Sequence, residues 1–387
     1  MSVVLSASVR QNLLSLQSTA DLLATTQNRL STGKKVNTAL DNPTNYFTAQ
    51  GLDNRANDIG NLLDGIGNGV QVLQAANTGL TSLQKLVDTA KSIASQVLQT
   101  TVGYTPRSTV TSTGALTGNA ANLVDGTIIK SGDVLTIAAT GGGTPTSITF
   151  GASESLTQLN AALAGNNLTA SLDNANKLVI TTTNDAASAT IGAVTYPGAG
   201  TGTLTFGAVA APVADPASQA TRSSLVAQYN NIVTQISTTA QDASFNGINL
   251  LNGDSLKLTF NETGKSTLNI TGVTYSATGL GLNALIGGTD FLDNNSANKA
   301  ITALSAASTS LRTEASALGS NLSIVQIRQD FSKSLINVLQ TGASNLTIAD
   351  PNAEAANSQA LATRQSIAVS ALALANQSQQ SVLQLLR

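Results

Sequence analysis

NAEAANSQALATRQSIAVSALALANQSQQSVLQLLR, residues 352–387, follows Pro351 and contains neither Gly nor Pro, so nothing in it breaks a helix. At ~1.5 Å per residue it makes a rod of roughly 54 Å. Leu361, Ala368, Leu372, Ala375, Val382 and Leu386, with Gln365 and Gln379 in the gaps, keep an unbroken 4-3 heptad seam. The charged groups are Glu354, Arg364 and Arg387, and further apolar side chains (Ile367, Ala371, Leu374, Leu383, Leu385) lie off the seam. A helix so poor in charge needs neighbours on more than one side. Ordering it costs ~1–2 kcal/mol per residue in backbone entropy. Burial returns only ~1.5–3 kcal/mol per large apolar side chain, so a lone rod does not fold. Its partner is another segment of the chain or another copy.

The opposite end of the chain offers that partner. Val9, Leu13, Leu16, Ala20, Leu23, Gln27 and Leu30 repeat the 4-3 spacing, with Arg10, Asp21 and Arg29 the charges before Thr32. Two matched seams predict that the two ends pair side by side. Taken in isolation, the seams favour an ordinary intramolecular coiled coil over contacts between copies.

Between the ends the pattern changes twice. Gly33 and Asn42-Pro43 punctuate a turn-rich segment after the first seam, where Lys34-Lys35 reads as a solvated helix end. A second long helix is expected from Leu52 to about Thr100. Its inward face is Ile66, Val70, Leu73, Ala76, Leu80, Leu83, Val87, Ala90, Ala94 and Val97. Gly60, Gly65, Gly67, Gly69 and Gly79 within it are read as points of close helix–helix approach, because GIGNGV lacks the GxGxxG spacing and follows no strand. From Gly103 to about Ala214 the chain turns Thr- and Gly-rich. Short apolar runs around Val134, Ile148 and Leu178, with a helix at 155–164, predict a small β-rich domain built on a ββαββ unit at 133–182, with Gly141-Gly142-Gly143 as a hairpin loop. Helical periodicity returns at Ala217, with a stripe of Leu225, Tyr229, Ile232, Ile236 and Ala240. A hairpin follows, with Leu256, Leu258 and Phe260 leading to Thr263-Gly264 and back through Leu268 and Ile270. A third long helix keeps 4-3 spacing from Ala297 through Ile301, Leu304, Leu311, Leu318, Leu322 and Val325 to Leu339, with Gly342 as its stop and Pro351 opening the last. The fold class is mainly α, with long antiparallel coiled-coil helices from both termini and a β-rich insert.

Composition narrows the function. Only 10% of residues are charged, against ~25% in typical soluble proteins, which suits surfaces covered by copies of the same chain or a life outside the cell. A net charge of -2 gives no footprint for nucleic acid. No run of 18 apolar residues is present for a membrane span. MSVVLSASVR lacks the features of a cleaved secretory signal. With no His and no Cys, serine-triad, cysteine-protease and histidine-zinc chemistries are excluded, and no cofactor or metal site is expected. Asp133, Glu154, Asp173 and Asp185 could in principle supply a glycosidase pair, but their spacing is undistinguished and they read as solvated carboxylates. The chain is not expected to be an enzyme.

RLSTGKKVNTALDNPTNYFTAQGL (29–52) is similar to the N-terminal signature of bacterial flagellins. ALALANQSQQSVLQLLR (371–387) resembles the family's closing pattern, and YNNIVTQISTTAQDASFNGINLLNG (229–253) its F-N-G and L-L-N-G turns. The resemblance covers roughly 1–102 and 217–387 and is of the alphaproteobacterial type. It implies an inner-tube helix at 1–32, a spoke at 33–46, and a helical layer at 47–102 and 217–342 with its β-hairpin at 255–271. It also implies an outer insert at 103–216 and a C-terminal inner-tube helix at 343–387. Polymerisation would then rest on Val9, Leu13, Leu16, Leu23, Leu30, Leu361, Leu372, Val382 and Leu386. The layer core would hold Ile66, Val70, Leu73, Leu80, Leu83, Val87, Ile301, Leu304, Leu311, Leu318, Leu322 and Val325.

The implied partners are other flagellin copies, the cap and hook-junction proteins, and an export chaperone at the C-terminal helix. Export would be unfolded, through the flagellar type III route, to an extracellular filament. A hook–filament junction protein of the same axial family is the alternative. The family's Q-R-V-R-E-L patch, bound by the vertebrate Toll-like flagellin receptor, is degenerate here: its R-V-R-E-L positions are Thr89, Ala90, Lys91, Ser92 and Ile93, which implies weak or no receptor activation. The Ser- and Thr-rich insert could also serve as an adhesin or carry O-linked sugars.

Overall fold

The structure is a computed structural model that describes residues 7–196 and 202–385, with the side chains of Ser8, Gln379 and 382–385 outside that description. Mostly helical, it carries its strands in a middle segment and one later hairpin. The chain falls into two compact units. One comprises Met1–Gly69, Lys257–Leu268 and Ile324–Arg387; the other comprises Val70–Leu256 and Asn269–Ser323.

In the first unit, α1 (Ala7–Thr32) lies along α6 (Pro351–Leu385). The pair is antiparallel, since Arg29 near the end of α1 meets Glu354 at the start of α6, 3.5 Å apart. α2 (Pro43–Gln99) and α5 (Asn294–Thr347) each cross from one unit into the other. Within the first unit they share a small core of Ala56, Ile59 and Leu339, flanked by Leu52, Leu335 and Ile336. The connectors between the helix pairs are joined by main chain: Lys35 N–H donates to Thr347 O at 2.7 Å and Ala349 N–H to Gly33 O at 3.0 Å.

The helix starts explain two departures from expectation. α2 opens at Pro43, well before Leu52, because Asn42-Pro43 is a helix start as well as a turn. Asn42 Oδ1 accepts the Asn45 N–H at 3.0 Å, and proline's missing N–H costs nothing at the first helical position. At the other end, Gly342 does not stop α5, which runs on to Thr347. A helical glycine costs only ~1 kcal/mol relative to alanine, and Leu52 packs over this one. The break is made by Asp350-Pro351. A residue before proline avoids the α region, and Asp350 Oδ1 accepts the Asn352 N–H at 2.9 Å to cap α6.

In the second unit the middle segment forms two three-stranded antiparallel sheets. Their strands are β1 (Thr109–Thr111), β2 (Val134–Ile137), β3 (Thr146–Thr149), β4 (Leu168–Leu172), β5 (Leu178–Thr182) and β6 (Val194–Thr195). The orders are β1-β5-β4 and β3-β2-β6, with Leu135 opposite Ile148 and Ala170 opposite Ile180. The expected ββαββ elements are present, but each hairpin belongs to a different sheet, and the short flanking strands TVT and VT carry no pattern of their own. α3 (Leu156–Ala164) starts on a reciprocal capping box between Ser155 and Gln158 and buries Leu159 and Leu163. These join Val110, Leu123, Ile129, Leu135, Phe150 and Ile180 in one aliphatic core. α4 (Pro216–Asp242) follows, capped by Asp215, and then the hairpin of β7 (Ser255–Thr259) and β8 (Thr267–Thr271).

Candidate functional site

The terminal helices present the seams as faces. From Leu361 to Ser378 the half-buried positions are Leu361, Gln365, Ala368, Leu372 and Ala375, and every other residue is exposed. Those are the heptad positions of α6; the side chain of Val382 and the whole of Leu386 lie outside the described residues. On α1 the phase differs. Val9 and Thr26 are buried, and Asn12, Leu16, Thr19, Ala20, Leu23 and Arg29 are half-buried, whereas Leu13, Gln27 and Leu30 are exposed. The expected and observed stripes share Val9, Leu16, Ala20 and Leu23, and part at Leu13, Gln27 and Leu30. Against α6 the helix turns Asn12, Thr19 and Thr26 inward, and Leu13 and Leu30 outward.

That rotation leaves apolar surface uncovered. Leu14 is 66% exposed and Leu374 71%, with Leu22, Ile367 and Val369 also exposed. Fourteen of the eighteen large apolar side chains exposed among the described residues belong to the first unit; those not on α1 or α6 are on α5 (Ile324, Ile327, Phe331, Val338), the connectors and the start of α2.

The residues expected in the helical-layer core are placed as follows. Ile66, Val70, Leu73, Leu80, Leu83, Val87, Leu304, Leu311, Leu318 and Val325 are buried; Ile301 and Leu322 are half-buried. The glycines of α2 divide. A Cβ on Gly69 would run into the Leu258 side chain, and one on Gly79 would sit 2.7 Å from Ala243 Cβ and Leu251 Cδ1. Gly60 and Gly65 meet nothing within 4 Å. The reading of close helix–helix approach is therefore corrected at Gly69 and Gly79, which make room for a hairpin strand and for the residues after α4; at Gly67 the neighbour is a helix, with Gln329 Nε2 of α5 3.9 Å from an added Cβ. Of the degenerate receptor positions, Ala90 is fully buried, Lys91 and Ile93 half-buried, and Thr89 and Ser92 exposed.

One residue had no sequence signal. Arg222, on α4, is fully buried. Its Nε donates to Thr101 O at 2.7 Å, its Nη2 to Val97 O at 3.0 Å and Thr100 O at 2.9 Å, and its Nη1 to Phe291 O at 2.6 Å; Asn294 Oδ1 accepts from Nη2 at 3.0 Å. One guanidinium thus gathers the Val97 carbonyl from the last turn of α2 and the Thr100 and Thr101 carbonyls just past its end, where helical hydrogen bonding stops. Burial pulls its pKa down and the nearby Asp293 carboxylate counters this. The same group holds Phe291 at φ 62, a left-handed conformation that costs a bulky residue ~1–3 kcal/mol, with the ring 6.0 Å from Tyr229. Only its position two turns before Tyr229, on the inward stripe of α4, could have flagged it. That stripe runs through Val233 and leaves the expected Ile232 half-buried.

The hairpin is held from two helices. Arg55 Nε lies 2.8 Å from Glu262 Oε1, and the Arg328 guanidinium sits 5.7 Å over the Phe260 ring. Burial, then the Glu314 carboxylate, pushes the Tyr275 phenol up to about 12, so it stays a hydrogen-bond donor at neutral pH. Among the described residues no group of His, Cys, Asp or Glu could hold a metal ion, and no helix is long and apolar enough to cross a membrane.

The two ends that build this surface also carry the family match. Residues 5–128 match the bacterial flagellin N-terminal helical region, and residues 301–386 the bacterial flagellin C-terminal helical region. The chain belongs to the flagellin family. The N-terminal match covers α1, α2 and the start of the β-rich segment, and the C-terminal match takes in most of α5 and α6. Relatives include Flagellin FljM of Caulobacter vibrioides, 32% identical over 165 residues, 42% of this chain and 59% of the relative. Flagellin A of Rhizobium meliloti is 36% identical over 87 residues, 22% of each chain. The flagellin of Brucella melitensis is 28% identical over 171 residues, 41% of this chain and 60% of the relative. The chain spans about three-fifths of the length of the Caulobacter and Brucella flagellins it matches.

Proposed function

We propose that the chain is a structural subunit of a bacterial flagellar filament, whose terminal helices finish their environment only among other copies. The observation that carries this is the concentration of exposed aliphatic side chains on the unit that holds α1 and α6. An exposed Leu is ordinary when it stands alone, but a field of them on charge-poor helices is what a self-covering surface needs. Contacts between copies that do not close into a ring extend into an open helical fibre.

In this reading 1–32 and 343–387 form the inner tube and 33–46 the spoke. Segments 47–102 and 217–342 form the helical layer, and 103–216 projects outward. The inner-tube contacts would use Leu13, Leu30, Leu361 and Leu372 together with the outward Leu14, Leu22, Ile367 and Leu374. The filament is extracellular; the cap and hook-junction proteins would be its axial neighbours, and an export chaperone would hold the C-terminal helix beforehand. The chain has no catalytic role in this reading. The hook–filament junction alternative is not favoured, since both family matches are to flagellin.

The test is assembly of chains lacking 1–32 or 351–387, followed by sedimentation and electron microscopy. The full chain is expected to give long fibres and both truncations none; normal fibres from either truncation would end the reading. The receptor patch supports a separate expectation. Toll-like receptor reporter cells should respond weakly, because Ala90 faces the core and Lys91 is the one charged residue among the five aligned positions. Potency equal to that of a flagellin with an intact R-V-R-E-L patch would contradict it.

A further inference from the structure

We propose that Asp21 on α1 of one copy pairs with Arg364 on α6 of the next, and that this ion pair fixes the register in which copies pack. The pairing rests on the filament reading. Asp21 lies in a shallow groove along the outer side of α1, lined by Leu14, Gln17, Ser18, Leu22 and Thr25. All of these are exposed. Arg364 begins the outer stripe of α6 that continues through Ile367, Ala371 and Leu374, also exposed. Among the described residues of the two helices the ion pair within the chain is Arg29 with Glu354; neither Asp21 nor Arg364 is in one.

When copies cover these stripes, a carboxylate set between two leucines loses its water and requires a cation. Copies related along a fibre keep the same polarity, so α6 of a neighbour runs antiparallel to α1, as it does within the chain. With Asp21 against Arg364, Leu14 then falls opposite Ala371 and Ser18 opposite Ile367. In both of these pairs a large side chain meets a small one, which is what close helix packing needs. The stripes offer one anion and one cation at that level, so a slip of one turn would bury both unpaired. That makes the pair a determinant of register more than of affinity.

The experiment measures the critical concentration for fibre growth of the full chain, of D21R, of R364D, of the double swap D21R/R364D and of a one-to-one mixture of the two single variants. Circular dichroism of each monomer checks that the fold is retained. The single variants are expected to need about tenfold more protein, and the double swap to return within about threefold of the unaltered chain. The mixture is expected to recover as well. When its two chains alternate, one contact joins the introduced arginine to the introduced aspartate, and the next joins Asp21 to Arg364. Recovery by the double swap without recovery by the mixture would place the pair inside one chain and overturn the proposal, as would single variants that assemble normally. Failure of the unaltered chain to form fibres would instead bring down the filament reading on which the pairing stands.

Discussion

The two units treat aliphatic side chains in opposite ways. In the unit of Val70–Leu256 and Asn269–Ser323 they are covered: Leu135, Ile137, Leu159, Leu163, Leu178 and Ile180 are wholly buried in the β-rich core, and Leu73, Leu80, Leu83, Leu304 and Leu311 are wholly buried in the helices. In the unit that holds both ends, α1 and α6 touch along one stripe each and leave Leu13, Leu14, Leu22, Leu30, Ile367, Val369 and Leu374 exposed. Similar residue types therefore serve two purposes. In one unit they hold the folded chain together, and in the other, on the proposed reading, they await another chain. A residue's contribution to the monomer and its contribution to assembly should separate along this line.

The largest effect is expected at Arg222. Arg222→Ala strips donors from four carbonyls, two of them buried and two part-buried, and leaves Phe291 strained, which should cost about 3–5 kcal/mol in urea unfolding of the monomer. A loss under 1 kcal/mol would show that water replaces the guanidinium and that the junction is not a keystone. Next comes a matched pair of substitutions. Leu83→Ala should destabilise the monomer by about 3 kcal/mol through the cavity it opens. Leu374→Ser should leave monomer unfolding within about 0.5 kcal/mol while raising the critical concentration for fibre growth several-fold. If Leu374→Ser destabilised the monomer as much as Leu83→Ala, the contrast between the units would fail.

The smallest effect concerns the β-rich segment alone. Asp125 is partly buried, which works against its charge, but the N–H groups of Thr127, Ile128 and Ile129 and the Thr117 backbone N–H all point at its carboxylate and hold its pKa well below the usual range. A carboxyl whose folded pKa is depressed adds stability that is fully present above its unfolded pKa, about 3.9, and lost as pH falls toward the folded value. Asp125→Asn should thus cost about 1 kcal/mol at pH 7, and the gap from the unaltered chain should close below about pH 4. A gap that stays constant from pH 7 to pH 3 would mean that geometry, not charge, stabilises this turn. In thermal melts the terminal helices should be indifferent to the change.

The sequence by itself determined that long helices lie at both ends of the chain, that short strands lie between them, and which face of α6 carries the heptad. These depend on periodicities of two and 3.6 residues and on Pro, Gly and cap residues, all read within a few positions of one another. Leu361, Gln365, Ala368, Leu372 and Ala375 needed no knowledge of what they would touch. The tertiary structure alone decided the phase of α1, where Asn12 and Thr26 face α6 in place of Leu13 and Leu30, because a seam gives the repeat and the partner's shape chooses which neighbouring positions it covers. It alone sorted Gly69 and Gly79, pressed by Leu258 and Leu251, from Gly60 and Gly65, which meet nothing, since crowding is a property of pairs of segments distant in sequence. It alone put Arg222 out of reach of water. A guanidinium is placed in a core only when several backbone carbonyls converge on it, and no local pattern records that convergence.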